Sequence, residues 1–451
     1  MHGCTLGEVA EAAGATLHGP PGAADRRVTG FGIDSRSLRP GEVFFALESA
    51  DRDGHGFARE AVRGGAAAAV VRSGWAGLNP DDGPFLAVDD PAAALTRLAR
   101  RQRERLLAGG CRVVAVAGSN GKTSTRRLIH HVLTSGGAGG LAGTQSPASF
   151  NNSLGVPLTL LGAAPANAFV AVELGTNHPG EVAPLAELLA PEAAVIASIG
   201  AEHLGNFGSL EAVAREEAAL LPAVRPGGAV FCPPEAAEAL QPFYDVADGV
   251  ALVPVTDARH GRLVPGAFPL LGAHQRANAR LAAAVALWFG RSPEAISEAL
   301  VTATAAPGRM EPRELGGGAA AGGLTLIHDA YNANPDSVAA ALGAVRGFSG
   351  GSRTVAILGP MLELGSFSAD AHRDAAALAA DSLDEVLLLG DAWPTPGVAA
   401  EAVAAALRPG DTVLLKASRG SRLERLFPLI EQRVAQWAQA RGRSCTGGPE
   451  P

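Results

Sequence analysis

The residues from Gly118 to Ser124 have the types and spacing of a loop that binds nucleotide phosphates. They follow an apolar run, Val113–Ala117, and precede Thr125–Leu133, which alternates apolar and polar residues at helical spacing. A glycine loop between a strand and a helix presents backbone N–H groups and the positive end of the helix to an anion. Lys122 could reach the terminal phosphates, and the Thr123 hydroxyl could bind Mg2+. The predicted ATP-binding loop consists of Gly118, Ser119, Asn120, Gly121, Lys122, Thr123 and Ser124.

Length and composition indicate a folded protein of several domains. The chain has 451 residues, of which 47% are hydrophobic and 18% charged, so two to four domains are expected. A net charge of −8 without a block of basic residues argues against nucleic acid or an anionic membrane as the main partner. No run reaches the roughly 18 apolar residues of a membrane helix, so no membrane insertion is expected. With no signal peptide and four scattered cysteines, we expect a cytoplasmic protein.

The order of apolar runs and helical segments predicts an α/β fold with mostly parallel sheets. Central runs are Phe169–Leu174, Ala194–Ile199 and Gly228–Cys232, and an earlier one is Val43–Leu47. Later runs are Leu324–His328, Thr354–Leu358, Val386–Leu389 and Thr412–Leu415. We predict a small N-terminal α/β domain at 1–89, a central P-loop parallel-sheet ATPase domain at 90–310, and a C-terminal Rossmann-like domain at 311–451.

Two segments have unusual composition. Residues 316–323 are nearly all Gly and Ala, and we predict a hairpin loop just inside the third domain, with a disordered linker as the alternative. The tail after Ala440 is predicted to be disordered.

Several polar residues follow predicted strands of the central domain, where parallel sheets place their ligands. Glu173 ends one strand and could hold Mg2+ opposite Thr123, or be a capping or surface glutamate. His203 follows the next strand, where a metal ligand and a hydrogen-bonded structural histidine are equally open. Asn151 and Asn152 begin a rigid loop that could meet a phosphate or substrate oxygen, although this pattern is weak.

Two polar segments of the third domain also lie at strand ends, Asp329–Pro335 and Lys416–Arg422. Arg and Lys beside small residues suit the recognition of a carboxylate or phosphate, because the small neighbours let a ligand approach the backbone. Each segment could therefore bind such a group, or it could be only a capped turn. Mg-ATP on a central domain with a flanking domain on each side suits the joining of a carboxylate to an amine. ATP would convert the acid into an acyl phosphate, which the amine would attack.

At this point the sequence resembles the Mur ligases of peptidoglycan synthesis, from about Val28 to Ile430. The matching motifs are Asp34–Arg36, Asp53–Phe57, Gly118–Ser124, Asn151–Pro157, Glu173–His178, Asp329–Pro335, Leu362–Gly365 and Lys416–Arg419. The resemblance implies ATP and Mg2+ as cofactors. The matched motifs are most similar to those of the member that adds D-Ala-D-Ala to UDP-MurNAc-tripeptide. These two molecules are therefore the expected partners, and we expect the enzyme to be a monomer.

The resemblance also implies roles for single residues. It places Lys122 on the phosphates, Thr123 and Glu173 on one Mg2+, and His203 on a second. The implied ATP contacts outside the loop are Asn278, Arg309 and Asp329. The substrate-binding residues expected from the matched motifs are Ser35, Arg36, Asn151, Asn152, Asn332, Asn334, Lys416, Ser418 and Arg419.

Three positions depart from the family pattern. Glu217 stands where a carbamylated lysine commonly binds the second Mg2+, and its carboxylate lies roughly 3–4 Å nearer the backbone. We treat Glu217 as a catalytic candidate with Lys122, Glu173 and His203, either as a metal ligand or as a structural residue. Gln275 replaces a usual asparagine and Pro360 a usual aspartate.

Two alternative functions therefore stay open. One is another amino-acid-adding ligase of the same family, including a ligase of the folylpolyglutamate type. The Asp34–Arg36 motif argues against the folylpolyglutamate type. The other is an ATP-binding scaffold that has lost catalysis, as Glu217 and Pro360 would allow.

Overall fold

The chain is built on three separate, mostly parallel β-sheets. A computed structural model describes residues 3–136, 139–393, 395 and 397–444. Over these residues the sheets have five, six and five strands, and a two-stranded ribbon accompanies the first. The predicted α/β fold is confirmed, while the domain boundaries at 89/90 and 310/311 stay predictions.

The first sheet lies in the N-terminal region. Its elements are α1 (Leu6–Ala13), β1 (Thr16–His18), β2 (Gly30–Gly32), β3 (Glu42–Phe45), β4 (Glu48–Ser49), β5 (Arg52–Asp53), α2 (Ala58–Arg63), β6 (Ala68–Arg72), β7 (Phe85–Val88) and α3 (Pro91–Ala108). The strand order is β1-β7-β6-β3-β2, and only β1 runs antiparallel to its neighbour. The strands β4 and β5 form the ribbon.

The second sheet carries the predicted phosphate loop. Its region contains β8 (Arg112–Ala117), α4 (Lys122–Thr134), β9 (Gly143–Gln145), α5 (Gly155–Gly162), β10 (Phe169–Glu173), α6 (Val182–Leu189), β11 (Ala193–Ile196), α7 (Leu204–Phe207), α8 (Leu210–Ala218), β12 (Ala229–Cys232), α9 (Pro234–Leu240), β13 (Ala251–Pro254), α10 (Asp257–His260), α11 (Ala273–Trp288) and α12 (Pro293–Val301). All its strands are parallel, in the order β13-β12-β11-β8-β10-β9. Because β8 lies between β10 and β11, the ends of these three strands open at one edge of the sheet.

The third sheet follows Pro307. Its region contains β14 (Glu311–Leu315), β15 (Leu324–Asp329), α13 (Pro335–Phe348), β16 (Thr354–Leu358), α14 (Ser368–Ser382), β17 (Glu385–Leu388), α15 (Ala400–Ala406), β18 (Thr412–Lys416) and α16 (Phe427–Ser444). The order is β14-β15-β18-β16-β17, with only β14 antiparallel to its neighbour. The antiparallel pair confirms the predicted hairpin around 316–323.

Alternation along β8 shows how the central sheet is covered on both faces. Val113 and Ala115 point into a core that continues through Leu95 of α3 to Val43 of the first sheet. Val114 faces the opposite core, formed with α4, α11 and α12. Since side chains of a strand alternate between faces, this apolar run needs helices on both sides, as its sequence predicts.

The end of the chain departs from prediction. The last helix continues through Ser444, so the tail predicted to be disordered after Ala440 begins as helix. The remainder of that predicted tail, 445–451, lies outside the described residues. None of the described helices combines the length and apolar character needed to cross a lipid bilayer.

Candidate active site

A large cleft separates the carboxyl edge of the central sheet from the third domain. Its volume is about 1260 Å³. Predicted site residues that line it are Ser119, Asn120, Gly121, Lys122, Ser124, Asn151, Asn152, Glu173, His203, Asn278, Arg309, Asp329, Asn332, Lys416 and Arg419. Those that do not are Ser35, Arg36, Gly118, Thr123, Glu217, Asn334 and Ser418. The fold thus gathers most candidates from two regions into one space.

The phosphate loop is held open by backbone geometry that glycine permits. Gly118 has φ 114° and Gly121 has φ 86°, values that side-chain-bearing residues rarely adopt. A Cβ on Gly118 would lie 2.7 Å from the Ser198 carbonyl oxygen. The loop is also braced by that residue, because the Ser119 N–H donates to its carbonyl at 2.9 Å and the Asn120 N–H to its hydroxyl at 2.8 Å. Contacts within the protein therefore fix the shape of the loop.

Lys122 begins α4 and folds its amine back over the loop. Its Nζ donates to the carbonyls of Gly118 at 2.6 Å and Ser119 at 3.0 Å, and to Glu202 Oε2 at 2.7 Å. Burial would lower the pKa of Lys122, but the carboxylates of Glu202, Glu217 and Glu173 together raise the pKa above its ordinary value. The amine is a full positive charge held at the phosphate end of the cleft.

Glu202 was missed by the sequence reasoning, which selected only its neighbour His203. Its Oε2 pairs with Lys122, and its Oε1 accepts from Asn332 Nδ2 of the third domain at 3.4 Å. Its side chain is only 12% exposed. Glu202 therefore pairs with Lys122 on one wall of the cleft and contacts Asn332 on the opposite wall.

Glu217 lies beneath the loop rather than in the cleft. It is buried, and its Oε2 accepts the Gly118 N–H at 2.8 Å. Burial raises the pKa of Glu217 to about 7, against the opposing effect of Lys122. One of its oxygens thus supports the loop, which agrees with the structural alternative for this residue and leaves its second oxygen for a metal.

Glu173 ends β10 and is held from two sides. Arg126 Nε lies 3.4 Å from its Oε2, and Asn151 Nδ2 donates to its Oε1 at 3.1 Å. Arg126 is buried and also donates to Gln145 at 2.5 Å and to the Ala148 carbonyl at 2.9 Å. Arg126 was not predicted, because two adjacent arginines on a helix do not reveal which one faces the sheet.

The oxygen donors around the loop fit a divalent cation. The Thr123 hydroxyl is buried without a hydrogen-bond partner, which is an unusual state for a polar atom. The carboxylates of Glu173 and Glu202 face the same cleft. Hard oxygen ligands of this kind suit Mg2+.

His203 links the two walls. It has φ 51°, in the left-handed region, and its side chain is 12% exposed. Its Nε2 lies 3.7 Å from Glu202 Oε1, and its Nδ1 lies 2.6 Å from Glu363 Oε2 of the third domain. The second contact is close, although its angle departs from that of a good hydrogen bond.

A polar group at the start of α11 adjoins the other end of the loop. Asn278 Nδ2 donates to Gln275 Oε1 at 3.2 Å, and Gln275 Nε2 lies 3.5 Å from Ser124 Oγ. A Cβ on Gly121 would lie 2.5 Å from Asn278 Oδ1, so the helix packs directly on the loop. Gln275 therefore supplies an amide at the position where the family pattern has an asparagine. Nearby, burial lowers the pKa of His274 below its ordinary value.

The third-domain wall is organised by a buried ion pair. Lys416 Nζ donates to Asp329 Oδ2 at 2.8 Å and to the Asn332 carbonyl at 3.0 Å. Asp329 also accepts the Met310 N–H at 3.0 Å. Arg309 stacks on the Tyr331 ring at 4.3 Å from its centroid. This wall presents Arg309 and the Asp329–Lys416 pair to the cleft.

Some predicted substrate residues serve local structure. Asn152 accepts the Leu154 and Gly155 N–H groups, and Asn334 caps α13 while its Nδ2 donates to Asn120 Oδ1 at 2.9 Å. Ser418 is buried and accepts the Leu362 N–H at 2.9 Å. These contacts hold the walls together, whereas Arg419 pairs with Glu424 at the rim.

Ser35 and Arg36 lie in the N-terminal region, away from the lining of the cleft. The Arg36 side chain is 83% exposed and pairs with Asp34 at 2.7 Å. This hydrogen-bonded pair lowers the pKa of Asp34 to about 2. The structure does not bring these two residues to the phosphate loop.

A second acidic cluster, at the β4–β5 ribbon, contains residue types that can bind a metal ion. Among described residues, Glu48, Asp53 and His55 place possible ligand atoms within 4.8 Å of one another. His55 Nε2 accepts the Arg72 N–H at 2.9 Å, so its Nδ1 carries the proton and lies 2.7 Å from Asp53 Oδ1. The cluster is a hydrogen-bond network that orders the ribbon.

Comparison with family models agrees with this layout. Residues 27–103 match the model described as "Mur ligase family, catalytic domain", residues 116–241 match "Mur ligase middle domain", and residues 308–440 match "Mur ligase, glutamate ligase domain".

Similar proteins extend over nearly the whole chain. The UDP-N-acetylmuramoyl-tripeptide–D-alanyl-D-alanine ligase of Mycobacterium tuberculosis (strain H37Rv) is 33% identical, over 93% of this chain and 96% of its own. The ligase of the same name from Bacillus subtilis (strain 168) is 31% identical, over 95% and 98%. A crystal structure of MurF from Acinetobacter baumannii has the same fold, with a TM-score of 0.79, 24% identity and coverage of 96% and 99%. The sequence match and the shared three-domain fold establish that the chain belongs to the Mur ligase family.

Proposed function

We propose that this protein is an ATP-dependent ligase that joins D-Ala-D-Ala to the free carboxyl end of UDP-MurNAc-tripeptide in peptidoglycan synthesis. The observation that carries the proposal is that a preformed phosphate loop and the Arg309, Asp329 and Lys416 wall share one cleft. The names of the M. tuberculosis and B. subtilis relatives support the same reaction, since both match more than nine-tenths of each chain.

The proposed reaction has two steps. A carboxylate oxygen of the tripeptide attacks the γ-phosphorus of ATP, and ADP leaves with the electrons of the broken P–O bond. The amine of D-Ala-D-Ala then attacks the acyl carbon, inorganic phosphate leaves, and the nitrogen loses a proton. The protein contributes positioning and charge stabilisation rather than a covalent intermediate of its own.

Residues of the loop orient the triphosphate. The N–H groups at the start of α4 face the anion, and Lys122 exchanges Glu202 for phosphate oxygens. Lys122 then stabilises the negative charge that develops during transfer. Asn278, Arg309 and Asp329 complete the nucleotide site from α11 and the domain junction.

One Mg2+ would be held by Thr123 and Glu173, and a second by His203, with Glu217 as its further candidate ligand. Support comes from the partnerless buried hydroxyl of Thr123 and the carboxylates beside Lys122. When bound, Mg2+ supplies positive charge that neutralises phosphate oxygens. Arg126 and Asn151 hold the Glu173 carboxylate in place at the cleft.

The remaining predicted residues divide between the two substrates. Ser35 and Arg36 would bind the UDP-sugar, since they lie apart from the nucleotide site. Asn151, Asn152, Asn332, Asn334, Lys416, Ser418 and Arg419 would position the peptide ends in the cleft or hold the walls that do so. We place the enzyme in the cytoplasm as a monomer.

The test is release of phosphate from ATP by the purified protein. We expect release that requires both UDP-MurNAc-tripeptide and D-Ala-D-Ala, with mass spectrometry showing the pentapeptide product. Turnover with a single amino acid in place of the dipeptide would support another ligase of the family. Nucleotide binding without turnover under any substrate pair would support the scaffold.

A further inference from the structure

We propose that Glu363 of the third domain is a positioning residue that orients the His203 imidazole, so that this ligand of the divalent cation is in place only when the third domain is closed. The inference rests on the proposed function, in which His203 binds the cation. Glu363 belongs to the Leu362–Gly365 segment, to which no role in the reaction has so far been given.

The contact between the two side chains sets the orientation of the ring. His203 Nδ1 lies 2.6 Å from Glu363 Oε2, while its Nε2 is directed to the Glu202 side of the cleft, 3.7 Å from Oε1. A carboxylate at one ring nitrogen favours the proton there and leaves the lone pair of the other nitrogen for a cation. Glu363 therefore selects the nitrogen and the direction with which His203 would bind.

The backbones on both sides are shaped for this approach. His203 has φ 51° and Glu363 has φ 67°, so two non-glycine residues adopt the left-handed region where the domains meet. Such conformations are unfavourable for residues with a side chain and persist where the surroundings require them. The Gly205 N–H donates to the Glu363 carbonyl at 3.2 Å, which joins the two turns directly.

Two glycines make the approach possible. A Cβ on Gly205 would lie 2.9 Å from Gly365 N, and a Cβ on Gly365 would lie 2.8 Å from Gly205 Cα. Neither turn could bear a side chain at these positions without the domains moving apart. The contact is therefore a close backbone fit around one carboxylate–imidazole pair rather than a chance meeting of long side chains.

Glu363 moves with the third domain because its segment is tied within that domain. The Met361 N–H donates to His372 Nε2 at 2.9 Å, and the Leu362 N–H donates to Ser418 Oγ at 2.9 Å. His203 belongs to the central domain, immediately before α7. Opening of the third domain would separate the carboxylate from the imidazole, so closure and orientation of the ligand are coupled.

The test uses full-length protein, Mn2+ as a paramagnetic probe and ADP. Pulsed EPR should detect coupling between Mn2+ and a histidine nitrogen in the wild type and lose it in His203→Ala. Glu363→Ala should weaken the coupling and raise the Mn2+ concentration for half-saturation about 10-fold, the usual loss when a carboxylate behind a ligating histidine is removed. Glu363→Gln, which keeps an oxygen at the same distance, should restore most of the affinity.

Asp336→Asn is the matched comparison. Asp336 Oδ2 accepts the Ala201 N–H at 2.8 Å, so this variant weakens the same interface without touching the imidazole. We expect it to leave the Mn2+–nitrogen coupling intact in the nucleotide complex. Equal loss in Asp336→Asn and Glu363→Ala would mean that Glu363 acts only on closure, and the inference would be wrong.

The inference and the proposed function fail separately. If the wild type binds Mn2+ through a histidine nitrogen but forms no pentapeptide, the proposed reaction is wrong and the role of Glu363 stands. If the pentapeptide forms but Glu363→Ala binds Mn2+ as the wild type does, Glu363 does not orient His203.

Discussion

The two walls of the cleft each hold a lysine, but in different ways. Lys416 and Asp329 are register partners on the adjacent strands β18 and β15, so the sheet itself brings them together. Lys122 meets Glu202 between two loops, and the carbonyls of its own loop complete its contacts. A pair fixed by strand register is part of the fold, whereas a pair between loops can be exchanged for a ligand.

The largest expected effect comes from Lys122→Ala. Loss of the Lys122 ammonium at the phosphate end should lower the turnover number by about 10³-fold, since a preorganised charge that stabilises the transition state is removed. Phosphate release at saturating ATP measures the loss, and circular dichroism should show an unchanged fold. Wild-type turnover in this variant would remove Lys122 from the mechanism.

Asp329→Ala should act on stability as well as on nucleotide binding. It leaves the buried Lys416 ammonium without its carboxylate, which costs about 3 kcal/mol of unfolding free energy in such pairs. Chemical denaturation monitors the third domain, and the double variant Asp329→Ala with Lys416→Met should recover stability. Asp370→Ala, at an exposed ion pair within α14, serves as the control and should change little.

Glu173→Gln tests whether the Glu173 carboxylate is a ligand of Mg2+. The amide keeps the size of the side chain and one acceptor oxygen for Arg126 or Asn151, but it removes a negative ligand, so the Mg2+ concentration for half-maximal turnover should rise about 10-fold. Glu181→Gln is the control, because Glu181 lines the same cleft but accepts the Asn177 N–H. An unchanged Mg2+ titration in Glu173→Gln would exclude it as a ligand.

The smallest effect is expected for Glu217→Gln in metal-free protein. The pKa of Glu217 is raised from 4.5 to about 7 by burial, so its favourable contribution is complete below about pH 4.5 and is lost as the pH rises through 7. The wild-type Tm should therefore fall by about a few degrees between pH 5 and 8 relative to the variant.

Glu216→Gln is the control for this pH series. Glu216 is also buried, but it accepts the N–H groups of Gly180 and Val182 at the start of α6. Parallel Tm curves for the wild type and Glu217→Gln would show that Glu217 does not titrate in this range.

Prediction from sequence succeeded where local structure depends on consecutive residues. The loop Gly118–Ser124 carries its own glycines and helix start, so strand, turn and helix follow from one segment. It failed for Glu202, Arg126 and Glu363, whose partners are distant along the chain. Composition held an unused indication, because the only two lysines of the sequence, Lys122 and Lys416, both line the cleft.

The sequence alone determined the α/β fold, the phosphate loop and the family, since these depend on periodicity, glycine placement and local motifs. Tertiary structure decided which partner each acidic side chain contacts: Lys122 for Glu202, the Gly118 N–H for Glu217, and His203 for Glu363. Pairing of this kind depends on the packing of three sheets and on which side of each helix faces them. A side chain's partner, and with it the charge it can offer a ligand, is a property of that packing and not of its neighbours in sequence.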